Sequence, residues 1–269
     1  MNFSSVIGEK ILESRPVGGG CIGSCFRVRT KVREYFVKFY SKPGVSVKEA
    51  HGLKELSISR TVKVPELINY DEQFLVLGFI NQAPRADDFQ TRLAGNLAAL
   101  HKTISSEYGF YEDNIIGSTP QKNSWKNDWI DFYIENRLDF QVGLAADHDI
   151  NKAYDRLRGR IPEILGDSIE PPCLIHGDLW SGNVISGEDG GPVLIDPAPY
   201  YGHRELELAM TQLFGGFSAE FYSIYDKEYP LKKGWRDRQD LYKLYHVLNH
   251  LNLFGNSYKH QALSLMKAY

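Results

Sequence analysis

His176-Gly177-Asp178-Leu179-Trp180-Ser181-Gly182-Asn183 is the stretch on which the reading of this 269-residue chain turns. Asp178 can take a proton from an attacking hydroxyl, and Asn183 can offer an amide oxygen to a metal ion. Further on, Asp196 closes the apolar run Val193-Leu194-Ile195. A carboxylate there can hold Mg2+, a hard cation that favours oxygen ligands and shares itself with nucleotide phosphates. Each residue also has a plainer use: Asp178 as a turn cap, His176 as a packed core histidine, Asn183 in a turn hydrogen bond. What lies upstream separates the two readings.

Working back toward the start, Gly18-Gly19-Gly20-Cys21-Ile22-Gly23-Ser24 fits three phosphate-binding templates. A dinucleotide fingerprint needs a helix directly after the glycines, and the residues that follow are strand-like. A Walker A loop needs lysine where Ser24 stands. The third template is a Gly-rich turn between two strands that covers ATP, with Gly18, Gly20 and Gly23 as its glycines and Cys25 at the position usually held by valine. Glycine suits that turn because backbone without Cβ approaches phosphate oxygens closely. An ordinary Gly-rich turn fits the same residues, so partners are needed.

Lys38, embedded in Phe36-Val37-Lys38-Phe39, is the first partner. A lysine on that strand reaches the α- and β-phosphates and is held by a helix carboxylate, although a strand lysine can also simply face water. The following helical segment carries Glu49 and Glu55, and Glu49, nearer its start, is the preferred partner. A Gly loop, a strand Lys, a helix Glu, an Asp…Asn loop and a strand-end Asp in that order point to phosphoryl transfer from ATP with Mg2+. Gly177 replaces the arginine usual after the histidine, and Pro197-Ala198 replaces Phe-Gly after Asp196. With no Ala-Pro-Glu motif either, a phosphorylation-regulated protein kinase is disfavoured, and a small-molecule or modified-side-chain acceptor fits better.

Local patterns give the organisation around these residues. Cys25–Val28, Tyr35–Tyr40 and Phe74–Phe79 read as strands, with a helix over Val47–Ile58 among them. From Asp87 the period becomes helical. Leu93, Leu97, Leu100 and His101 share one face, a long helix is expected over Trp125–Leu144, and another over Lys152–Leu165, stopped by Gly166 and Pro171-Pro172. Short strands are expected at Cys173–Ile175 and Val193–Ile195, then helices to the end. The expected fold class is α+β, protein-kinase-like and bilobal. Residues 1–80 form a small β-rich ATP-binding lobe, and residues 81–269 a larger, mainly helical catalytic and acceptor-binding lobe. A hinge lies near Gly78–Pro84.

Composition sets the outer limits. With 31 Lys+Arg against 34 Asp+Glu the net charge is −3, which disfavours a nucleic-acid binder. The apolar run Phe74–Leu77 is interrupted by Gly78, and nothing approaches the roughly 18 apolar residues of a membrane helix. The first residues lack a basic stretch followed by an apolar one, so a cytoplasmic location is expected. Cys21, Cys25 and Cys173 form no Cys-x-x-Cys pair, which disfavours a disulfide framework or a zinc site.

The residues also carry a family resemblance. Gly18–Gly23, Gly109-Phe110, Asn114–Gln121, Trp125–Leu138, His176–Asn183, Asp196–Glu205 and Asn249–Gly255 together resemble the fructosamine kinase (ketosamine-3-kinase) family, kin to the aminoglycoside and choline kinases. The resemblance spans almost the whole chain. It implies ATP-dependent phosphorylation of the 3-hydroxyl of a ketosamine, free or on a protein lysine, as a deglycation repair. It also implies Asp178 as base, Asn183 and Asp196 as Mg2+ ligands, and Lys38 with Glu49 as the phosphate clamp. Gly78 stands where relatives often carry an acidic residue, leaving the backbone of Gly78, Phe79 and Ile80 to bind adenine. Trp180, His203 and Arg204 are acceptor-pocket candidates, with a packed aromatic and a structural ion pair as the alternative. The competing functions are an aminoglycoside- or choline-type phosphotransferase and a catalytically inactive nucleotide-binding module. A Rossmann oxidoreductase is a more distant one. Monomer and redox-linked dimer both stay open, the latter through Cys21 at the loop tip.

Overall fold

The structure, a computed structural model, describes residues 3–18 and 23–269. Gly20 and Cys21, with their neighbours Gly19 and Ile22, lie outside the described residues. After a short helix α1 (Phe3–Ile7) come β1 (Glu13–Val17), β2 (Gly23–Arg29), β3 (Glu34–Tyr40), α2 (Val45–Ser59), β4 (Leu67–Tyr70) and β5 (Phe74–Gly78). The strands form one antiparallel five-stranded sheet in the order β1-β2-β3-β5-β4.

Alternation along β3 sorts its side chains between two small cores. Tyr35 and Val37 join Val28, Val76 and Val6 of α1 on one face. Tyr40 joins Leu75, Leu77 and, from α2, Ala50 and Leu53 on the other. Lys38 has the parity of Tyr40 and therefore points at α2.

The remaining elements are mainly helical: α3 (Phe89–Leu100), β6 (Asn114–Ile116), β7 (Thr119–Gln121), α4 (Trp129–Tyr133), α5 (Phe140–Ala145), α6 (His148–Arg158) and α7 (Ile161–Leu165). They continue with β8 (Cys173–Ile175), β9 (Val184–Ser186), β10 (Pro192–Leu194), β11 (Tyr200–Gly202), α8 (Arg204–Leu213), α9 (Ala219–Glu228), α10 (Trp235–Phe254) and α11 (Lys259–Lys267). The larger core centres on Trp129, Phe132, Tyr133, Tyr200 and Tyr242. A second core places α3 and α9 against Leu174, Leu179 and Leu194, directly beneath the 176–183 loop.

Two helices differ from their expected bounds for local reasons. The helix expected from Trp125 begins at Trp129, because Asp128 accepts from Asp131 N–H as its cap while Lys126 pairs with Tyr108 in an extended bridge. It then runs through a π-type stretch, Ile134–Asp139, into α5. That wider turn turns Arg137 inward, where it donates to Lys122 O and Asn123 Oδ1 and lies 3.9 Å over the Tyr200 ring. The helix expected over Lys152–Leu165 is two helices. Asp147 caps the first at His148, and Gly159 with Pro162, which has no N–H to continue the ladder, separates the second.

Candidate active site

Gly177 has φ +84°, and a Cβ there would lie 2.0 Å from the carbonyl oxygen of Ala198. A side chain there has no room, because the 176–183 loop and the segment after Asp196 touch backbone to backbone. Ala198 N–H donates to His176 O at 2.9 Å, and the His176 ring bridges the same gap, donating from Nε2 to Ile195 O at 3.0 Å. Its Nδ1 accepts from Asp178 N–H at 3.3 Å. Burial lowers the His176 pKa, so the ring is a neutral strut, not a proton carrier.

Beneath the loop, Glu207 of α8 accepts from His176 N–H at 2.9 Å and Gly177 N–H at 2.8 Å, with His101 Nε2 donating to it at 3.0 Å. Glu207 carries no motif in the sequence. Its only signal there was a carboxylate between Leu206 and Leu208 on a helix whose neighbours are apolar.

Asp178 and Asn183 are joined. Asn183 Nδ2 donates to Asp178 O at 2.9 Å and to Asp178 Oδ2 at 3.2 Å. A main-chain carbonyl only accepts, so the amide nitrogen must face it, and the amide oxygen of Asn183 is directed elsewhere. Burial, and then the Asp196 charge, push the Asp178 carboxyl up to about 7.

Asp196 takes a positive φ of +52° just after β10. Its Oδ1 lies 3.1 Å from Lys38 Nζ, which also donates to Glu49 Oε2 at 2.9 Å. Burial opposes the Lys38 charge, but the two carboxylates outweigh it and hold the ammonium above its ordinary range. Tyr40 donates to Glu49 as well. Glu55, the alternative partner, instead accepts from Tyr201 at 2.9 Å.

These side chains line one cavity of about 310 Å³, shared by Lys38, Glu49, Asp178, Asn183, Asp196, Trp180, Lys48 and Asn114. A second cavity of about 370 Å³ adjoins it through Gly182, Ile195 and Asp196. Its walls include Val17, Phe36, Leu53, Leu77 and Ile185, and Gly18, Gly78, Phe79 and Ile80 also line it. A cavity walled largely by apolar side chains thus adjoins a chamber onto which Lys38, Glu49, Asp178 and Asp196 project. In the lobe connection Gly78 N–H donates to Glu66 O and Phe79 N–H to Glu34 O, so both donors are committed to the protein's own backbone. Gly23 packs its Cα against the Phe39 carbonyl, where a Cβ would lie 2.4 Å away.

The donor set fits magnesium. One carboxylate from Asp196 and one amide oxygen from Asn183 form a hard-oxygen pair that leaves room for phosphate oxygens, the usual way Mg2+ is held with a nucleotide. Among the described residues no cluster of three or more His, Cys, Asp or Glu offers a closed cage.

The three acceptor candidates separate. Trp180 lines the chamber, 38% exposed, with its ring 6.0 Å from Phe214. His203 and Arg204 do not line it, which corrects the expectation. His203 is buried, donates to Ser168 O and caps α8 by accepting from Glu205 N–H. Arg204 forms a bidentate pair with Glu170, both contacts 2.6 Å, and donates to the carbonyls of Tyr229 and Pro230. The structural alternative holds for both. Asn114 and Gln121 were also missed as support. They donate to Pro199 O and Ala198 O, fixing the segment after Asp196 from its far side.

A family model for fructosamine kinase matches residues 2–269. The chain belongs to the fructosamine kinase family. Among curated relatives, a chloroplastic protein-ribulosamine 3-kinase of Oryza sativa subsp. indica is 42% identical, covering 97% of this chain and 79% of that one. A solved structure from Thermobifida fusca YX-ER1, provisionally assigned as a fructosamine-3-kinase, superposes with a TM-score of 0.91 at 31% identity over 98% of this chain and 96% of the other. The ADP-bound aminoglycoside phosphotransferase APH(2'')-Ib superposes at TM-score 0.63 and 17% identity, covering 99% and 95%, and shares the protein-kinase-like fold. Among the described residues no helix is long and apolar enough to cross a membrane.

Proposed function

We propose that this fructosamine kinase family member transfers the terminal phosphoryl group of ATP to the 3-hydroxyl of a ketosamine, with Asp178 as the base. The observation that carries the reading is the position of Asp178. It faces the chamber beside Trp180, its pKa is pushed up to about 7, and Asn183 occupies only one carboxylate oxygen. A base with a pKa near the working pH is suited to taking a hydroxyl proton as the new O–P bond forms. The bridging O–P bond to the β-phosphate breaks in the same displacement, and ADP leaves with the bridging oxygen.

The chain's other residues position and hold charge. Lys38, fixed by Glu49, presents its ammonium to the phosphates, and the apolar cavity lined by Leu77 and Ile185 accepts a flat base. With the N–H groups of Gly78 and Phe79 engaged by the sheet, the backbone of Ile80 is the favoured contact to adenine. Asp196 and Asn183 would hold Mg2+, which when bound neutralises charge developing on the transferred group. Trp180 offers a ring face at the acceptor end. The free thiols of Cys25 and Cys173 suit a reducing compartment, and the cytoplasm is the favoured location.

The family match supports the acceptor class, and the rice relative's name favours a ribulosamine within it. The test is Mg-ATP-dependent transfer to free ribulosyl-lysine, fructosyl-lysine, a ribulosylated peptide, an aminoglycoside and choline. Phosphate on the ketosamines alone supports the assignment, and the free and peptide-borne forms rank the carrier. Phosphate on the aminoglycoside or choline alone overturns it.

A further inference from the structure

Lys38 is held by Glu49 of α2, a helix that packs on the sheet through Ala50 and Leu53 and also meets the larger lobe. Glu112 makes two of the contacts with that lobe. Its Oε2 accepts from Lys48 Nζ at 2.6 Å, and its Oε1 lies 2.7 Å from His51 Nδ1. Lys48 and His51 are three residues apart and share a helix face, flanking Glu49 in sequence. One turn further along α2, Glu55 accepts from Tyr201 Oη at 2.9 Å. Between them, Gly52 lies against Pro197 and Pro199, so closely that a Cβ would fall 2.9 Å from Pro199 Cδ.

Glu112 stands on a fixed base. Asn123 Nδ2 donates to Glu112 O at 3.0 Å, Asn123 N–H donates to Asp113 Oδ1 at 2.8 Å, and Phe110 N–H donates to Asn123 O at 2.9 Å. Gly109 bridges to Tyr201 in the same region, so Glu112 and Tyr201 project from one platform. The carboxylate is 19% exposed, with partners about one-third exposed, a setting less screened than an open surface pair.

We propose that Glu112 is a positioning residue, a latch between the lobes that holds α2 in place and thereby keeps Glu49 on Lys38. The inference rests on the phosphotransferase reading. It explains how the Lys38–Glu49 pair is set in a chain that lacks the arginine after His176 through which a phosphorylated segment usually acts. With the latch open, Glu49 moves off and Lys38 is left to Asp196 alone, drawn from the phosphates toward the metal-side carboxylate.

The test compares Glu112→Ala, Glu112→Gln and Tyr201→Phe with the wild type. It measures Mg-ADP affinity by calorimetry, KM for ATP and for the ketosamine separately, and thermal unfolding. Loss of two charge-assisted hydrogen bonds beside the clamp should weaken Mg-ADP and raise the ATP KM about tenfold in Glu112→Ala, with the ketosamine KM within about twofold. Glu112→Gln, which keeps an acceptor for Lys48, should fall between, and serves should the alanine variant not fold. Tyr201→Phe should shift the same constants in the same direction. An ATP KM and Mg-ADP affinity unchanged in folded Glu112→Gln and Tyr201→Phe would overturn the latch. So would equal loss toward ATP and ketosamine tracking the melting temperature. Mg-ADP affinity is read without any acceptor, so failure of the ketosamine assignment would leave this test intact.

Discussion

Replacing Glu207 by glutamine should separate the energetic role of the buried carboxylate under the 176–183 loop from simple packing. The side chain is fully buried and receives three donors: His101 Nε2 and the backbone N–H groups of His176 and Gly177. Glutamine keeps the shape but turns one acceptor into a donor, setting N–H against N–H and removing the charge that all three donors face. Breaking a buried charged set of this kind costs about 3–5 kcal/mol. Because the isostere retains one acceptor, about 3 kcal/mol is the expected loss, or ~6–12 °C in melting temperature for a chain of this size. Turnover, measured well below the new melting point, should fall about tenfold or more, because the same N–H groups set the path of the backbone into Asp178.

Glu205→Gln is the control. Glu205 is also buried, but both its carboxylate oxygens accept from Arg238 on α10. It should lose comparable stability with turnover preserved in the folded fraction. A melting point within about 2 °C of wild type for Glu207→Gln, or equal turnover losses for both variants, would refute the reasoning. The pH sign is also set. Burial alone would raise the Glu207 pKa, but the hydrogen bonds it receives from the His101 ring and from His176 N–H bring it below its ordinary 4.5. The carboxylate's stabilisation is therefore present above pH 4.5 and lost as pH falls through the folded value, a component absent from the glutamine variant.

Two further outcomes follow from single positions. Gly177→Ala sets a Cβ at φ +84° and 2.0 Å from Ala198 O, so the loop must part from the segment after Asp196. Turnover should drop about a hundredfold or more while Mg-ADP still binds, and turnover within tenfold of wild type would count against the backbone contact. His246 is buried with neither ring nitrogen hydrogen-bonded among the described residues, and burial, then the His250 and Arg137 charges, lower its pKa to about 3. The unfolded chain takes up a proton below about pH 6.5 and the folded chain does not. His246 therefore withdraws stability as pH falls from 6.5 toward 3, about 2 kcal/mol by pH 5. Chemical denaturation of His246→Leu should show a shallower acid slope, and a slope parallel to wild type would exclude the effect.

What the chain disclosed by itself was what lies close along it. Asp178, Asn183 and Asp196 fall within one short stretch, and Lys38 advertised itself by interrupting an apolar strand. Lys38 pairs with Glu49, while Glu55 turns to Tyr201. What was hidden depends on partners distant in sequence. Glu207 meets the 176–183 loop from 31 residues away, and Glu112 meets His51 from 61. Neither distance leaves a periodic trace. His203 and Arg204 were misplaced because polar residues beside a motif look functional until their burial among Trp129, Tyr229 and Tyr242 is seen. Of the three-residue strands, β8 and β10 showed as short apolar runs, whereas β6, β7, β9 and β11 are too short for alternation to mark them.

The most direct test of the central claim is Mg-ATP-dependent phosphoryl transfer to ribulosyl-lysine by the wild type and by Asp178→Ala, with Mg-ADP affinity measured for both. The account predicts transfer by the wild type, a loss of at least about a hundredfold in the variant, and nucleotide affinity little changed. Transfer by the variant within tenfold of wild type would contradict Asp178 as the base. Nucleotide binding without transfer by the wild type would contradict the acceptor.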